Sequence, residues 1–289
     1  MPSVKELVSY IKLSLKEIVE PNELQQFVWL IFDYLRSYTR LDLILKEDRQ
    51  MSVEEIDFIY KAVERLKEHE PLQYVLGQTH FMNLIFKVNK HVLIPRPETE
   101  ELVTWILEEN AACDNNHLKI LDLGTGSGCI PVSLKKFIPY ARVEAWDVSL
   151  EALAIAKENA LFHGEEIDFK QRNILDYSTF SLSSMDIIIS NPPYVTQKEQ
   201  KVMAPNVLNY EPHLALFVPD NDPLMFYKAI TDFAKECLNP NGRLYFEINE
   251  AYGREVCEIL QHSGFSSIEL RKDLSNRNRM VRAILPVVE

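Results

Sequence analysis

Residues 118–128 of this chain read LKILDLGTGSG, and an amphipathic helical pattern continues from them through residue 137. A short apolar run, a turn rich in glycine and an apolar helical stripe are typical of a strand, a tight loop and a helix. Gly124, Gly126 and Gly128 allow positive φ angles and a close approach of the backbone to a ligand. This stretch therefore predicts the first strand and helix of an α/β unit, with a ligand site at the loop between them.

Strand and helix patterns alternate through the rest of the chain. Strands are predicted at 118–122, 142–147, 167–171, 185–190, 243–248, 266–271 and 279–285, and helices at 127–137, 149–162, 223–237 and 253–262. Such alternation is typical of a doubly wound parallel sheet. Only residues 275–278 remain between the last two strands, too few for a crossover helix, so these strands must pair antiparallel. The predicted class is α/β, a seven-stranded, mostly parallel Rossmann-like sheet with a terminal antiparallel hairpin.

The region before this sheet predicts two further parts. Residues 1–72 favour a small helical bundle, since Ser3 and Ser52 each have a glutamate three positions later, as in a capping box. Pro21 is expected to break its first helix, and a short helix is expected at 40–46. Residues 73–95 predict a β-hairpin linker, and 96–289 form the sheet domain, where Glu98 or Thr99 is expected to cap the first helix. The bundle is interpreted as a packing module or as a docking site for a protein substrate.

Composition limits the classes of function. The chain has 289 residues, 46% of them hydrophobic, and a net charge of −12, which is ordinary globular composition without the basic field of a duplex-binding protein. No apolar run has the length of a membrane span, and the first twenty residues lack the apolar region of a secretory leader. The four cysteines are far apart and fit reduced thiols in a cytosol better than disulfides or a zinc site, so no metal is predicted.

The tetrapeptide Asn191-Pro192-Pro193-Tyr194 directly follows the apolar strand pattern MDIIIS at 185–190. Proline donates no backbone hydrogen bond, so the two prolines end the strand and stiffen the backbone after it. The Asn191 side-chain carbonyl and the Pro192 backbone carbonyl provide two acceptors, and Tyr194 provides a flat face. This arrangement predicts a planar substrate group with an NH2, whose nitrogen is the nucleophile. Asn191, Pro192 and Tyr194 are the predicted catalytic residues, and Pro193 completes the substrate site.

The glycine loop predicts an adenosine cofactor without phosphates, with a purely structural turn as the alternative. Its spacing lacks the third glycine position of the dinucleotide fingerprint, and it carries neither a P-loop lysine nor another basic residue. Asp147 ends the next strand about 20 residues later, where a carboxylate meets ribose hydroxyls. Asp122 is expected to hold an ammonium group through loop amides or water, Asn173 to read the adenine edge unless it is a simple turn residue, and Ile174 to pack on the ring. The predicted cofactor residues are Asp122, Gly124, Thr125, Gly126, Ser127, Gly128, Asp147, Asn173, Ile174 and Asn191.

Together these residues resemble the class I S-adenosylmethionine-dependent methyltransferases and, more narrowly, the release factor glutamine methyltransferases. The resemblance covers nearly the whole chain: the helical bundle, PLQYVLG at 71–77, LIPRPETE at 93–100, DLGTGSG at 122–128, NPPY at 191–194, YEP at 210–212 and KDL at 272–274. It implies an S-adenosyl-L-methionine cofactor and methylation of the glutamine amide in the Gly-Gly-Gln motif of peptide chain release factors. Asn249, where the family usually has glycine, and the loop at 217–222 depart from the pattern at the substrate mouth.

Several alternatives stay open at this point. The segment with Arg96, Glu98 and Glu100 has two interpretations. It is either a gate over the cofactor pocket, in which Arg96 and a glutamate hold the linker, or simply the start of a helix, where the helix dipole favours acidic residues. The rival functions are adenine amino-group methylation of DNA or RNA, with the base flipped against Tyr194, and a cofactor-binding module without turnover. With release factors as partners, we expect a cytoplasmic monomer that binds neither membranes nor nucleic acid.

Overall fold

The computed structural model describes residues 1–110, 117–179 and 183–287. The chain forms two compact units: one comprises residues 1–78 and 204–210, the other residues 79–203 and 211–289. The domain boundaries expected after residues 72 and 95 stay a prediction. Cys113 lies outside the described residues, and the cysteines at 129, 237 and 257 are free thiols.

The N-terminal unit is helical around its own apolar core. Its helices are α1 (Val4–Leu15), α2 (Pro21–Arg36), α3 (Asp42–Leu45), α4 (Val53–Lys67) and α5 (Leu72–Leu76). Ser3 and Ser52 form the predicted capping boxes with Glu6 and Glu55. Pro21 was expected to break the first helix; α1 ends earlier, at Leu15, and Pro21 begins α2, because a first-turn proline has no N–H to satisfy and a φ suited to helix.

The second unit contains the hairpin and the sheet. In chain order its elements are β1 (Gln78–Phe81, which begins one residue before the unit), β2 (Leu84–Lys87), α6 (Pro97–Asn110), β3 (Lys119–Leu123), α7 (Cys129–Phe137), β4 (Arg142–Asp147), α8 (Leu150–His163), β5 (Asp168–Gln171), β6 (Met185–Ser190) and β7 (Val195–Thr196). After α9 (Pro205–Tyr210) of the helical unit come α10 (His213–Leu216), β8 (Phe217–Val218), α11 (Met225–Cys237), β9 (Leu238–Glu247), α12 (Gly253–His262), β10 (Ser266–Lys272) and β11 (Asn278–Ile284).

The predicted sheet is confirmed. Its strand order is β10-β11-β9-β6-β3-β4-β5, with the strands from β9 to β5 parallel and β11 antiparallel to both of its neighbours. Successive residues of one strand enter different cores: Ile187 and Ile189 pack with α6 and α7, whereas Ile188 packs with α11 and α12. Burial on both faces explains why these strands are continuous apolar runs.

Some local elements differ from expectation. Helix α6 begins at Pro97, so Glu98 and Thr99 lie in its first turn and neither caps it. Strands β7 and β8 pair parallel outside the main sheet and bring residues 195–196 beside 217–218, which the sequence patterns did not predict. Within the described part of the chain, no helix is long and apolar enough to cross a membrane.

Candidate active site

The register of the parallel strands gathers the predicted site at one edge of the sheet. Ser190, the last residue of β6, is paired with Leu123 of β3 on one side and with Phe246 of β9 on the other. The next residue along each of the three strands therefore lies at the same level. Asn191 thus emerges between Gly124 and Glu247, at the carboxyl ends where parallel sheets bind ligands.

The glycine loop adopts the conformation that its sequence predicts. Gly124, Gly126 and Gly128 have φ values of 79°, 54° and 79°, in the left-handed region. The Gly124 and Thr125 amides both donate to the Trp146 carbonyl, and the Gly126 amide donates to Asp147 Oδ2 over 2.8 Å. Because these three N–H groups are satisfied within the protein, they are not available to bind a phosphate.

Asp122 lies beneath this loop with its side chain completely buried. Neither of its carboxylate oxygens has a hydrogen-bond partner among the described residues, and the hydroxyl of Thr125 is likewise unpartnered. Desolvation raises the pKa of Asp122 to about 7; Thr125 is close enough to oppose this rise, although its hydroxyl does not meet hydrogen-bond geometry. Asp122 is therefore a buried carboxyl group without a hydrogen-bond partner among the described residues, beneath the glycine loop. It could act on a ligand only through the atoms of that loop, which lie between them.

Asp147 and Asn173, two other predicted cofactor residues, both make hydrogen bonds within the protein. Asp147 accepts from Gly126 N and Ser149 N, and burial raises its pKa while these N–H groups oppose the rise. Asn173 donates to Asp176 Oδ2 and accepts from Leu175 N, so its amide stabilises its own turn. Its predicted contact with the adenine edge stays a prediction.

The two predicted acceptors of the tetrapeptide have no hydrogen-bond donor within the described part of the chain. Asn191 Nδ2 donates to Thr99 Oγ1 over 3.2 Å, which leaves Oδ1 as the other end of the amide. Among the described residues no group donates to Asn191 Oδ1 or to the carbonyl of Pro192, and Oδ1 is not sealed from solvent. Both residues line the cavity described below.

Tyr194 is placed differently from its neighbours. Its ring packs against the core formed with α11 and α12, and its hydroxyl donates to Glu247 Oε1 over 3.1 Å. It does not belong to the cavity lining, whereas Asn191, Pro192 and Pro193 do. The stacking role predicted for Tyr194 stays a prediction. Its observed contacts hold the end of the tetrapeptide against this core and against Glu247.

Glu247 is a site residue that the sequence patterns missed. It is 1% exposed and accepts hydrogen bonds from Thr99 Oγ1 and from Tyr194, and burial raises its pKa. Asn249, two residues later, donates to the Tyr194 carbonyl and to Glu199, so this departure from the family pattern ties down the tetrapeptide. The signal that singled out Asp147, an acid at the end of an apolar strand, applies equally to Glu247.

The residues of the proposed gate have separate partners. Arg96 Nη2 lies 2.6 Å from Oε1 of the buried Glu211, which also accepts from Ile94 N. Glu100 accepts from the Met82 amide and thereby holds the hairpin turn. The Glu98 side chain makes no hydrogen bond with the described residues, although its charge raises the pKa of Glu247. Arg96 is thus fastened by Glu211 rather than by the glutamates of its own segment.

A cavity of about 360 Å³ runs from the glycine loop to the tetrapeptide. Its walls include Asp147, Asn173, Ile174 and Arg96, with Trp146 as a large apolar surface. This volume is within the range of small-molecule sites. No cluster of three or more metal-ligating side chains occurs in the described ranges.

Comparison with known proteins places this geometry in a family. The PrmC N-terminal domain family matches residues 6–77, and the Methyltransferase small domain family matches residues 102–211. A release factor glutamine methyltransferase of Flavobacterium psychrophilum is 46% identical over 93% of this chain and 94% of its own length. One from Bacteroides thetaiotaomicron is 42% identical over 96% of this chain and 98% of its own length. The chain belongs to the release factor glutamine methyltransferase family.

The fold comparison agrees with this assignment. A methyltransferase from Pyrococcus furiosus superimposes with a TM-score of 0.51 at 15% identity, covering 71% of this chain and 91% of that one. The protein is thus a class I methyltransferase, and S-adenosyl-L-methionine is its cofactor.

The residues of this methyltransferase fit that cofactor. Its adenosine part needs an apolar wall and a carboxylate for the ribose, and Ile174 and Asp147 line the cavity accordingly. Its ammonium group needs a negative charge, and Asp122 is an acid without a partner under the loop. Three loop amides already donate hydrogen bonds to Trp146 and Asp147 and therefore cannot bind phosphate, which agrees with a cofactor that has no phosphates.

Proposed function

We propose that this chain transfers a methyl group from S-adenosyl-L-methionine to the side-chain amide nitrogen of the glutamine in the Gly-Gly-Gln motif of peptide chain release factors. The observation that carries this proposal is the pair of unused acceptors, Asn191 Oδ1 and the Pro192 carbonyl, on the wall of the cofactor cavity. A primary amide has two N–H groups on one planar nitrogen, and each acceptor takes one. Membership of the family supports the choice of glutamine.

An amide nitrogen is a poor nucleophile, because resonance delocalises its lone pair. Asn191 and Pro192 accept its two N–H groups, which aligns the nitrogen and stabilises the positive charge that develops on it as the bond to the methyl carbon forms and the methyl–sulfur bond breaks. One of the two N–H protons then leaves to water, which gives the neutral N-methyl amide. Two prolines in sequence make this acceptor pair stiff, so little reorganisation accompanies the reaction. Exclusion of water from the closed site strengthens both hydrogen bonds.

The predicted cofactor residues would bind and orient S-adenosyl-L-methionine. When bound, S-adenosyl-L-methionine supplies an electrophilic methyl group. Asp147 and the glycine loop would hold its ribose, Ile174 would pack on its base, and Asp122 would favour its ammonium group from beneath the loop. The Arg96–Glu211 pair would fix the segment that closes the cavity.

The remaining parts of the proposal concern the partner. We infer that the helical unit docks the body of the release factor, that the enzyme acts as a cytoplasmic monomer, and that nucleic acid is not its substrate. A net charge of −12 supports the last point, since a nucleic-acid substrate would be repelled at long range.

The deciding experiment is a methyl-transfer assay with labelled cofactor and a purified release factor. We expect label in the wild-type release factor and none in its Gln→Ala variant of the Gly-Gly-Gln motif. DNA and RNA are assayed in parallel at low and high salt. Label in nucleic acid that falls steeply with salt would establish the rival function, and cofactor binding by calorimetry without transfer to any substrate would leave only a binding module.

A further inference from the structure

A hydrogen-bonded relay connects the tetrapeptide to the buried Glu247. Asn191 Nδ2 lies 3.2 Å from Thr99 Oγ1, and Thr99 Oγ1 lies 2.5 Å from Glu247 Oε2. Thr99 is 3% exposed and Glu247 is 1% exposed, so water does not compete for these contacts. The second oxygen of the carboxylate, Oε1, accepts from the Tyr194 hydroxyl.

The direction of this relay is set by the number of hydrogens. A threonine hydroxyl has one hydrogen and two lone pairs, and an ionised carboxylate only accepts. With Glu247 ionised, Thr99 gives its hydrogen to Glu247, which leaves only lone pairs for Asn191. An amide presents its NH2 to a lone pair, so the Asn191 nitrogen faces Thr99 and its oxygen faces away. The two ends of an asparagine amide are otherwise nearly interchangeable in shape, and the network alone distinguishes them.

We propose that Thr99 and Glu247 are positioning residues that fix the Asn191 amide with its oxygen toward the substrate nitrogen. The inference rests on the proposed function for the identity of that nitrogen. Neither residue touches the reacting atoms; both act through Asn191. A half-turn of the amide would place an NH2 where the substrate also presents N–H, and donor would then face donor.

The surroundings of Glu247 act on its ionisation in both directions. Burial raises its pKa, and the Thr99 and Tyr194 hydroxyls and the Arg279 guanidinium oppose the rise. Glu98 acts in the opposite sense, and its charge favours the protonated form of Glu247. Burial is the main cause of the raised pKa of Tyr227 and of Cys129, and the charge of Glu247 adds to both. The two hydroxyls and Arg279 therefore favour the acceptor-only form of Glu247, whereas burial, the largest influence on its pKa, and Glu98 favour the protonated form.

The test compares Thr99→Val, which keeps the shape but removes the hydroxyl, with Thr99→Ser, which restores the hydroxyl. We expect Thr99→Val to lower kcat by about 10- to 100-fold, the range for a loosened reacting group or a lost supporting contact. The Kd for the cofactor should stay within about twofold of wild type, since the relay supports the substrate acceptor. Thr99→Ser should recover most of the lost kcat. Thr104→Val is the matched control, because Thr104 lies on the same helix and is exposed, and among the described residues its hydroxyl contacts only Glu100 O and Met82 Sδ.

A second readout does not depend on turnover. In full-length protein labelled with ¹⁵N-asparagine, the side-chain amide signal of Asn191 is assigned by its loss in Asn191→Asp. Slow hydrogen exchange of this NH2 is expected in wild type and in Thr99→Ser, and faster exchange in Thr99→Val. Glu247→Gln, which converts the acceptor-only group into one that also donates, should likewise lower kcat and serves if Thr99→Val does not fold.

Wild-type kcat in Thr99→Val, or equal losses in Thr99→Val and Thr99→Ser, would overturn the inference. If wild type methylates no release factor, the proposed function fails instead. The exchange measurement then still decides whether Thr99 orients Asn191.

Discussion

Arg96 and Glu211 form an ion pair across 115 residues of sequence, with 2.6 Å between Arg96 Nη2 and Glu211 Oε1. The Glu211 side chain is fully buried, whereas that of Arg96 is 32% exposed. Burial raises the pKa of Glu211 even though Arg96 and the Ile94 amide oppose the rise. The ion pair thus joins the segment before α6 to the segment before α10. The buried Glu211 depends on Arg96 to compensate its negative charge.

Arg96→Met should therefore lower the free energy of unfolding by roughly 2–3 kcal/mol at pH 8, somewhat less than for a fully buried pair. Without Arg96 the pKa of Glu211 in the folded protein rises further above its unfolded value. A raised folded pKa gives stability at low pH that is lost as pH increases through it, so the defect should be smaller at pH 5.5. Denaturation at the two pH values measures this. Arg254→Met, which removes an exposed pair with Glu258, should be neutral at both.

Asp122→Asn should stabilise the protein in the absence of cofactor. The folded pKa of about 7 exceeds the ordinary value of 3.8, so wild type loses stability as pH rises between these values. The gain from the uncharged isostere should increase from pH 6 to pH 8, with an upper bound of about 4 kcal/mol from the difference in pKa. Thermal unfolding at the two pH values tests this, and an equal gain at both would remove Asp122 ionisation as the cause.

The same substitution should weaken binding of S-adenosyl-L-methionine, because the neutral amide no longer favours an ammonium group. Calorimetry at pH 7 in buffers of different ionisation enthalpy should also detect proton release on binding to wild type and none in Asp122→Asn. Unchanged affinity in the variant would separate Asp122 from the cofactor.

Gly128→Ala should destabilise the fold more than Gly164→Ala. Both glycines have a positive φ, 79° and 71°, so both variants have the backbone strain of about 1–2 kcal/mol. A Cβ at Gly128 would also lie 3.0 Å from the Ala156 Cβ and 3.1 Å from its Cα, which adds roughly 1–3 kcal/mol, whereas nothing lies within 4 Å at Gly164. Equal losses in urea denaturation would show that the approach of α8 to the loop is not tight.

Asn191→Ala and Asp147→Ala should separate catalysis from cofactor binding. Loss of the Asn191 acceptor removes roughly 2–4 kcal/mol of transition-state stabilisation, as at other preorganised polar sites, and leaves the cofactor Kd nearly unchanged. Asp147→Ala should raise that Kd, since it removes the ribose partner and the acceptor for the Gly126 amide. Single-turnover rates and calorimetry report the two quantities. Wild-type turnover in Asn191→Ala would exclude it from the mechanism, and an unchanged Kd in Asp147→Ala would exclude the ribose contact.

The sequence was sufficient for features whose cause is local. The strand containing Ile187, Ile188 and Ile189 is apolar throughout because both faces of the sheet are covered, and that pattern is visible without a partner. The glycine loop and the antiparallel ending of the sheet were likewise predictable from spacing alone. The local errors also have local causes: Pro97 begins its helix before Thr99 can cap it.

Features that depend on strand order could not be predicted. Thr99 and Glu247 are 148 residues apart, and they meet because α6 packs against β9, whose place beside β6 also brings Glu247 to the level of Asn191. Sequence patterns identify which segments form strands, but they do not show the order in which these strands lie side by side in the sheet. The Arg96–Glu211 pair was missed because its two residues lie 115 positions apart, in the segments before α6 and α10, and the nearer glutamates were considered in its place.

The relay also bears on where a catalytic fragment can be cut. The match to the methyltransferase family spans residues 102–211, which includes Asn191 but neither Thr99 nor Glu247. A truncation designed on that span would keep the tetrapeptide and lose both groups that orient its amide. The shortest piece worth expressing for chemistry therefore starts no later than Pro97 and continues beyond the end of β9.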